Sequence, residues 1–265
     1  PKVFLLEPET QAEVDMALRR TAHAPQILLT TDARAAHAYA GFTADCPATE
    51  PELPWELSVY DETLRLFTSG TTGRQKSVCL TSINEVLSAH DVMIHFPFSF
   101  TDRSMNTTPW FHRGGLHSGG ITPTLYAGGT VIIQRKFQPE KTLDMVQQYG
   151  LTFLIGVPNV LELLAEAQQK QPRDLSSLRG IVTMGSPLER ADCIRYQKIL
   201  TKRIFNGYGT TETFWNTFLR PDDLPEMAGS AGRSCVDDDV RVIKVYEDRV
   251  AEPDDLAATD GSEVG

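Results

Sequence analysis

Two loops carry residue types that suit chemistry on phosphate. The first is Thr68-Ser69-Gly70-Thr71-Thr72-Gly73, followed by the cations Arg74 and Lys76. Glycines allow close backbone approach and positive φ. Successive N–H groups form an anion-binding nest, hydroxyls add donors and a lysine supplies a point charge. The second is Asn206-Gly207-Tyr208-Gly209-Thr210-Thr211-Glu212, in which small and hydroxyl residues surround one aromatic ring and end on a carboxylate. That carboxylate would repel a pyrophosphate unless a metal ion lay between them, so the pair of loops points to a polyphosphate held with Mg²⁺. An ordinary hairpin turn at the first loop would need only about two to five residues.

Two common fingerprints nearly match. Gly70 to Ser77 has the Lys and Ser of a Walker loop at Lys76 and Ser77, but Gln75 stands where the second glycine belongs. The segment from Val78 to Leu80 also reads as a strand, whereas a Walker loop opens a helix. Gly207-Tyr208-Gly209 begins like a dinucleotide fingerprint, but Glu212 replaces the third glycine, which argues against NAD.

The elements that must position these loops alternate between strand and helix. Strands are expected at Lys2–Leu6, Gln26–Thr30, Leu64–Phe67, Val78–Leu80, Ser104–Thr108, Val131–Gln134, Thr152–Gly156, Arg179–Met184 and Arg203–Asn206. Helices are expected from Glu9 to Ala22, from Asp32 to about Tyr39, and after Thr81 or Ser82 with Glu85 in the capping box. Further helices are expected from Leu116 to Tyr126, from Pro139 to a stop at Gly150, from Pro158, and from Glu189 to Leu200. The fold class is therefore α/β, with layered, mostly parallel sheets flanked by helices. Residues 1–220 form this core, and residues 221–265 open a β-rich subdomain with a strand at Val240–Tyr246. In open α/β sheets ligands collect beyond the carboxyl ends of strands. Trp110–Gly115, Gly185–Pro187 and Gly207–Glu212 all follow strands, and with Thr68–Lys76 they form four candidate walls of one crevice.

Composition excludes several classes. The chain has 265 residues, 41% hydrophobic and 23% charged, with a net charge of −10 and no Lys/Arg tract. It is an ordinary globular chain and not a nucleic-acid binder. No stretch is long enough to span a membrane. Cys46, Cys79, Cys193 and Cys235 form no CxxC pair and read as reduced thiols of a cytoplasmic protein.

TSGTTGRQKSVCLT, residues 68–81, resembles the phosphate loop of the adenylate-forming enzymes: acyl-CoA synthetases, aryl-CoA ligases, luciferases and peptide-synthetase adenylation domains. FNGYGTTET, residues 205–213, resembles their second signature, and the two stand in the expected order. The resemblance implies an ATP-dependent ligase with Mg²⁺, and with CoA as co-substrate. A carboxylic acid would become an acyl-adenylate and then a thioester. Thr68, Ser69, Gly70, Thr71, Thr72, Gly73 and Lys76 would cradle the β- and γ-phosphates. Gly185, Ser186, Pro187 and Tyr208 would enclose adenine, with Asn206, Gly207, Gly209 and Thr210 beside the nucleotide. Thr211 would contact the α-phosphate. Thr71 and Glu212 would serve the metal, and Lys76, Thr211 and Glu212 the catalysis. Trp110, Phe111, His112 and Gly115 would border the acid pocket. Amino-acid adenylation domains place Asp after this aromatic to hold the substrate ammonium, and His112 there implies an acid without an α-amino group. The alternatives are an adenylation module that loads a carrier protein, or a non-catalytic nucleotide-binding relative. Trp110 and Phe111 are equally readable as core. His90, His95 and His117 have no motif context, and Asp237–Asp239 reads as a solvated turn.

The chain departs from the family at Gln75 and Ser77, where Pro and Gly are usual, and at Ser82, where His is usual. Family members are longer. The expectation is a fragment of the large domain, without the small C-terminal domain and its lysine, weak or inactive alone and prone to self-association through uncovered apolar surface.

Overall fold

The computed structural model describes residues 2–22, 24–53, 55–68, 75–258 and 262–263. The chain divides into two compact units, residues 1–56 and 57–265. In the first, β1 (Val3–Leu6) and β2 (Ile27–Thr30) pair in parallel and are connected through α1 (Gln11–Leu18). The Ala-rich helix expected from Asp32 does not form. Asp32 Oδ1 accepts the Arg34 N–H at 3.0 Å, and α2 (Tyr39–Thr43) starts only later. An Asp bonded to the N–H two residues on closes an Asx turn instead of capping a helix.

The second unit opens with a hairpin. β3 (Glu62–Thr68) and β4 (Lys76–Thr81) run antiparallel, with Thr68 opposite Lys76. Lys76 therefore begins a strand, which removes the Walker reading. Helix α3 (Ser82–His95) follows directly. Thr81 is its N-cap, so the third helical position is Asn84, and Asn84 completes the capping box expected of Glu85. Glu85 is left free to act elsewhere.

The main sheet has seven strands in the order β11-β10-β9-β8-β7-β5-β6. Five are parallel: β5 (Arg103–Asn106), β6 (Thr130–Val131), β7 (Phe153–Gly156), β8 (Gly180–Met184) and β9 (Ile204–Thr210). β10 (Phe214–Leu219) and β11 (Arg233–Ser234) continue the sheet antiparallel. β7 and β8 are buried along their whole length, as parallel strands covered on both faces must be. Successive side chains point to opposite faces and supply two cores. Leu154, Ile181 and Ile204 join one core, and Phe153, Ile155, Val182 and Phe205 join the other with Val92 of α3.

The connecting helices are α4 (Arg113–His117), α5 (Ile121–Tyr126), α6 (Pro139–Tyr149), α7 (Pro158–Lys170) and α8 (Arg190–Ile199). Helix α6 starts at Pro139 and stops on left-handed Gly150, with φ 60°, as expected. The single helix expected over Leu116–Tyr126 is two short ones. Gly119 is left-handed (φ +72°), and a Cβ at Gly120 would lie 1.9 Å from the Gly115 carbonyl oxygen, so the chain turns sharply there. β10 was not expected, because no turn dipeptide separates it from β9. The strand expected at Val240–Tyr246 is reduced to one bridge, Ile243 to Leu256. Val240, Val242 and Val245 stay exposed there, and Arg241 bonds Asp239 and Asp254 across the turn.

Candidate functional site

The parallel strands bring their carboxyl ends to one edge of the sheet. Thr108 and His112 after β5, Val157 after β7, Gly185 after β8, and Gly207 and Gly209 in β9 line one cleft of ≈ 540 Å³. Thr68 at the end of β3 also lines it. A second cavity of ≈ 330 Å³ shares Gly185, Gly207 and Gly209 and is completed by Ser186, Pro187, Asn206 and Tyr208. The two are halves of one crevice. Glycine is required at its hinge. A Cβ on Gly209 would lie 1.5 Å from the Phe214 carbonyl oxygen, and Gly185 has φ +84°. Neither backbone accommodates an ordinary side chain.

The β9–β10 turn holds Thr211 and Glu212 at the cleft wall. Thr210 Oγ1 accepts the Thr213 N–H at 3.2 Å, and Thr213 Oγ1 donates to Asn216 Oδ1 at 2.8 Å. Phe214 adopts φ 67°, a left-handed conformation uncommon for an aromatic residue. Arg113, only 7% exposed, braces the turn from behind. Its Nη1 donates to the Thr211 carbonyl at 2.5 Å, and its Nη2 donates to Ser88 Oγ at 3.1 Å. The guanidinium carbon lies 5.0 Å from the Phe214 ring centroid. Burial pushes the Arg113 pKa down, while Glu85, Asp91 and Glu212 pull it back up. Beside it, burial and the nearby Asp238 and Asp237 push Asp91 up to about 6, against the pull of Arg113 and His90.

The loop before α4 is fixed by β5. Asn106 Nδ2 donates to the carbonyls of Gly114 at 2.8 Å and Ser118 at 3.2 Å, and Asn106 Oδ1 accepts the Thr108 N–H at 2.9 Å. His117 is completely buried, with its Nε2 2.9 Å from both carboxylate oxygens of Glu85. His117 thus has a structural partner, which its lack of motif context did not suggest. His112 faces the cleft just before α4.

The crevice collects Thr68, His112, Gly185, Ser186, Pro187, Asn206, Gly207, Tyr208, Gly209, Thr210, Thr211 and Glu212 from the expected site residues. Lys76 stands across the β3–β4 ladder from Thr68. Ser69, Gly70, Thr71, Thr72 and Gly73 lie outside the described residues. Trp110 and Phe111 do not line the crevice. They are 37% and 70% exposed, so neither is core. Gly115 serves the backbone: a Cβ there would lie 2.2 Å from the Pro109 carbonyl oxygen. Sequence reasoning placed Arg113 inside the candidate wall Trp110–Gly115 without giving it a role, read Glu85 only as a cap, and missed Ser88, Asn106 and Met184. The signal within that segment was Arg113 itself, a cation between an aromatic-His pair and two glycines.

Among the described residues, no three His, Cys, Asp or Glu side chains converge as a metal cage. Glu212 is the one carboxylate among the described residues lining the crevice. That donor set fits Mg²⁺, which is commonly held by one or two carboxylates plus substrate phosphates and water. The smaller cavity is lined by one aromatic ring, Tyr208, among glycines and serines. Tyr208 is 56% exposed there, and the buried Asn206 Oδ1 has no hydrogen-bond partner among the described residues.

The AMP-binding enzyme family matches residues 1–256. The indoleacetate–CoA ligase of Aromatoleum aromaticum is 32% identical over 246 residues, which is 92% of this chain and 47% of that protein. The feruloyl-CoA synthase of an Amycolatopsis species is 33% identical over 195 residues, 72% of this chain and 38% of that protein. The chain therefore spans about half the length, or less, of these curated relatives. Among solved structures, apo MbtA from Mycobacterium smegmatis superposes with a TM-score of 0.81 at 23% identity, covering 95% of this chain and 46% of that one. ATP-bound MatB from Rhodopseudomonas palustris superposes with a TM-score of 0.78 at 24% identity, covering 96% and 48%. The last two support the fold alone. No helix among the described residues is long and apolar enough to cross a membrane.

Proposed function

Since the chain belongs to the AMP-binding, adenylate-forming enzyme family, we propose that it carries the nucleotide- and acid-binding core of an acid–thiol ligase. The reaction assigned to the whole enzyme has two steps. A substrate carboxylate oxygen attacks the α-phosphorus of ATP, and pyrophosphate leaves. The thiol of CoA, giving up its proton to water, then attacks the acyl carbon, forming the thioester and releasing AMP. The acid needs no protein nucleophile, because its carboxylate is already ionised at neutral pH. What this chain must supply is orientation and stabilisation of charge on phosphate oxygens.

The single observation that carries this reading is the joined crevice, in which Tyr208, Ser186 and Asn206 lie at one end, Thr211, Glu212 and His112 at the other, and Gly185 where the two halves meet. Tyr208 and the Gly185–Pro187 backbone enclose adenine. Lys76 and the Thr68–Gly73 loop hold the outer phosphates, and Thr211 the α-phosphate. Glu212, with the loop hydroxyl of Thr71, would hold Mg²⁺, which screens the phosphate charge when bound. The acid lies against Val157, Met184 and Phe214, with His112 at its carboxylate end. These apolar walls, together with the aryl acids in the names of both relatives, favour an acid that carries an aromatic ring.

Calorimetric titration of the chain with AMP, Mg-ATP and a non-hydrolysable arylacetyl sulfamoyl-adenosine tests this reading. The analogue spans both halves of the crevice and binds more tightly than AMP by about a hundredfold or more. Equal affinity for AMP and the analogue, or for a guanosine counterpart, would sink the reading.

A further inference from the structure

We propose that Arg113 is the positioning residue that locks the Thr211–Glu212 turn to helix α3, so that the acid-side loop and the nucleotide-side turn behave as one body. The inference deepens the function proposed above and rests on it for its ligand.

Three contacts made by one side chain carry it. Arg113 Nη1 donates to the carbonyl of Thr211, Nη2 donates to Ser88 Oγ on α3, and the guanidinium lies over Phe214. Each contact reaches a different part of the turn or its support. Thr211 and Phe214 sit on either side of Glu212, and the β9–β10 ladder is paired only as far as Thr210 and Phe214. The tip between them therefore takes its position from side chains. Arg113 itself is anchored from the acid side: its neighbour Gly114 is held through its carbonyl by Asn106, and its neighbour His112 lines the cleft. A displacement of His112 is thus passed through Arg113 to Thr211.

The chemistry requires arginine. A guanidinium presents donors in a fixed planar fork that satisfies a carbonyl and a hydroxyl together while its face packs on a ring. A lysine ammonium at the same place supplies charge without the fork. The charges agree with this role. Glu85, Asp91 and Glu212 all act on Arg113, so its charge offsets a local excess of carboxylate at the wall that must receive phosphate.

Amide hydrogen exchange and analogue binding test the proposal on the chain with R113A, R113K and S88A. In the ligand-free chain, R113A speeds exchange at residues 210–214 by about tenfold or more, the scale of one lost hydrogen bond to a charged group, and leaves β7 and β8 unchanged. S88A moves the same amides in the same direction by less. R113A also weakens binding of the sulfamoyl-adenosine analogue by about tenfold or more. Added methylguanidinium restores affinity saturably and neutral urea does not, while R113K recovers part of it. The proposal is overturned if exchange at 210–214 stays at the wild-type rate, if β7 and β8 loosen equally, or if urea rescues as well as methylguanidinium. Should R113A fail to fold, S88A and R113K decide on the same amides. If the wild-type chain binds no adenosine analogue, the functional reading falls, and the exchange arm still decides the role of Arg113.

Discussion

Replacing Gly209 by alanine tests whether the crevice depends on the close approach of the paired strands β9 and β10. The added Cβ would lie 1.5 Å from the Phe214 carbonyl oxygen, 2.5 Å from its carbon and 2.8 Å from the Trp215 Cα. All three atoms are backbone, so no side chain can swing aside. A carbon–oxygen contact is comfortable from about 3.3 Å, so the turn must retreat by about 1.8 Å. Gly207 is the internal control. Its Cβ would meet Trp215 Nε1 at 3.0 Å and the Phe218 ring at 3.1 Å, which are side-chain atoms able to yield by a few tenths of an ångström. Overpacking costs about 1–3 kcal/mol, and G209A falls at the upper end of that range with G207A at the lower. A misplacement of about 1 Å can cost about a hundredfold in a positioned site. G209A should accordingly lose about a hundredfold in affinity for the sulfamoyl-adenosine analogue, and G207A less than about tenfold. Urea unfolding followed by tryptophan emission, together with calorimetry, measures both. The reasoning is refuted if G209A loses no more than G207A in either assay.

Two further predictions concern the frame beneath the site. Asp102 is 1% exposed and bonded by Arg179 Nη1 at 2.7 Å. Arg179→Met leaves that carboxylate buried without its cation and destabilises the chain by about 2–3 kcal/mol, with the half-exposed arginine limiting the loss. Burial alone would raise the Asp102 pKa, but hydrogen bonds from Thr152, Arg179 and Ser99 outweigh it and hold the carboxyl below its usual range. Its stabilisation is therefore complete above about pH 3.9 and fades below that, and Arg179→Met flattens this acid limb in a pH series of urea melts. His95 behaves differently: burial and then Arg220 push its pKa down to about 4. As pH falls below 6.5 the unfolded chain takes the proton first, so the His95 contribution to stability declines between pH 6.5 and about 4. Asp91, pushed up to about 6, acts in the opposite sense over much of this window, so the comparison with His95→Asn is the test: the wild type loses stability relative to the variant as pH falls from 6.5 to about 4, and a constant difference would contradict the assignment.

The parallel core was legible because its signals were local and redundant. β7 and β8 read as strands from continuous apolar runs, and α6 was bracketed by Pro139 and Gly150. The failures occurred where one side chain had two local uses. Asp32 could cap a helix or bond the N–H two residues on, and geometry chose the second. Glu85 had the sequence position of a capping residue, but a one-residue shift gave that role to Asn84 and sent Glu85 to His117. The crevice-lining residues from Gly185 onward were named as a set because they follow strand ends and match the motifs that carry the family resemblance. Arg113 was not, because its partners Ser88 and Thr211 lie 25 and 98 residues away in the chain. No periodicity or motif encodes such contacts.

The placement of Arg113 also resolves an electrostatic difficulty. A chain with a net charge of −10 that takes a polyanion must create positive potential locally. Lys76 can do so from an exposed strand end, where solvent weakens it. Arg113 acts from a buried position, where a charge reaches further but must be balanced. Of the three carboxylates that balance it, Glu85 is occupied with His117, Asp91 is pushed up to about 6, and Glu212 faces the cleft. A cation arriving with phosphate would draw on Glu212, leaving Arg113 more of its charge to bear on the turn. On the proposed function, binding at the phosphate end would change the electrostatics of Arg113, the residue proposed to join the two halves of the crevice.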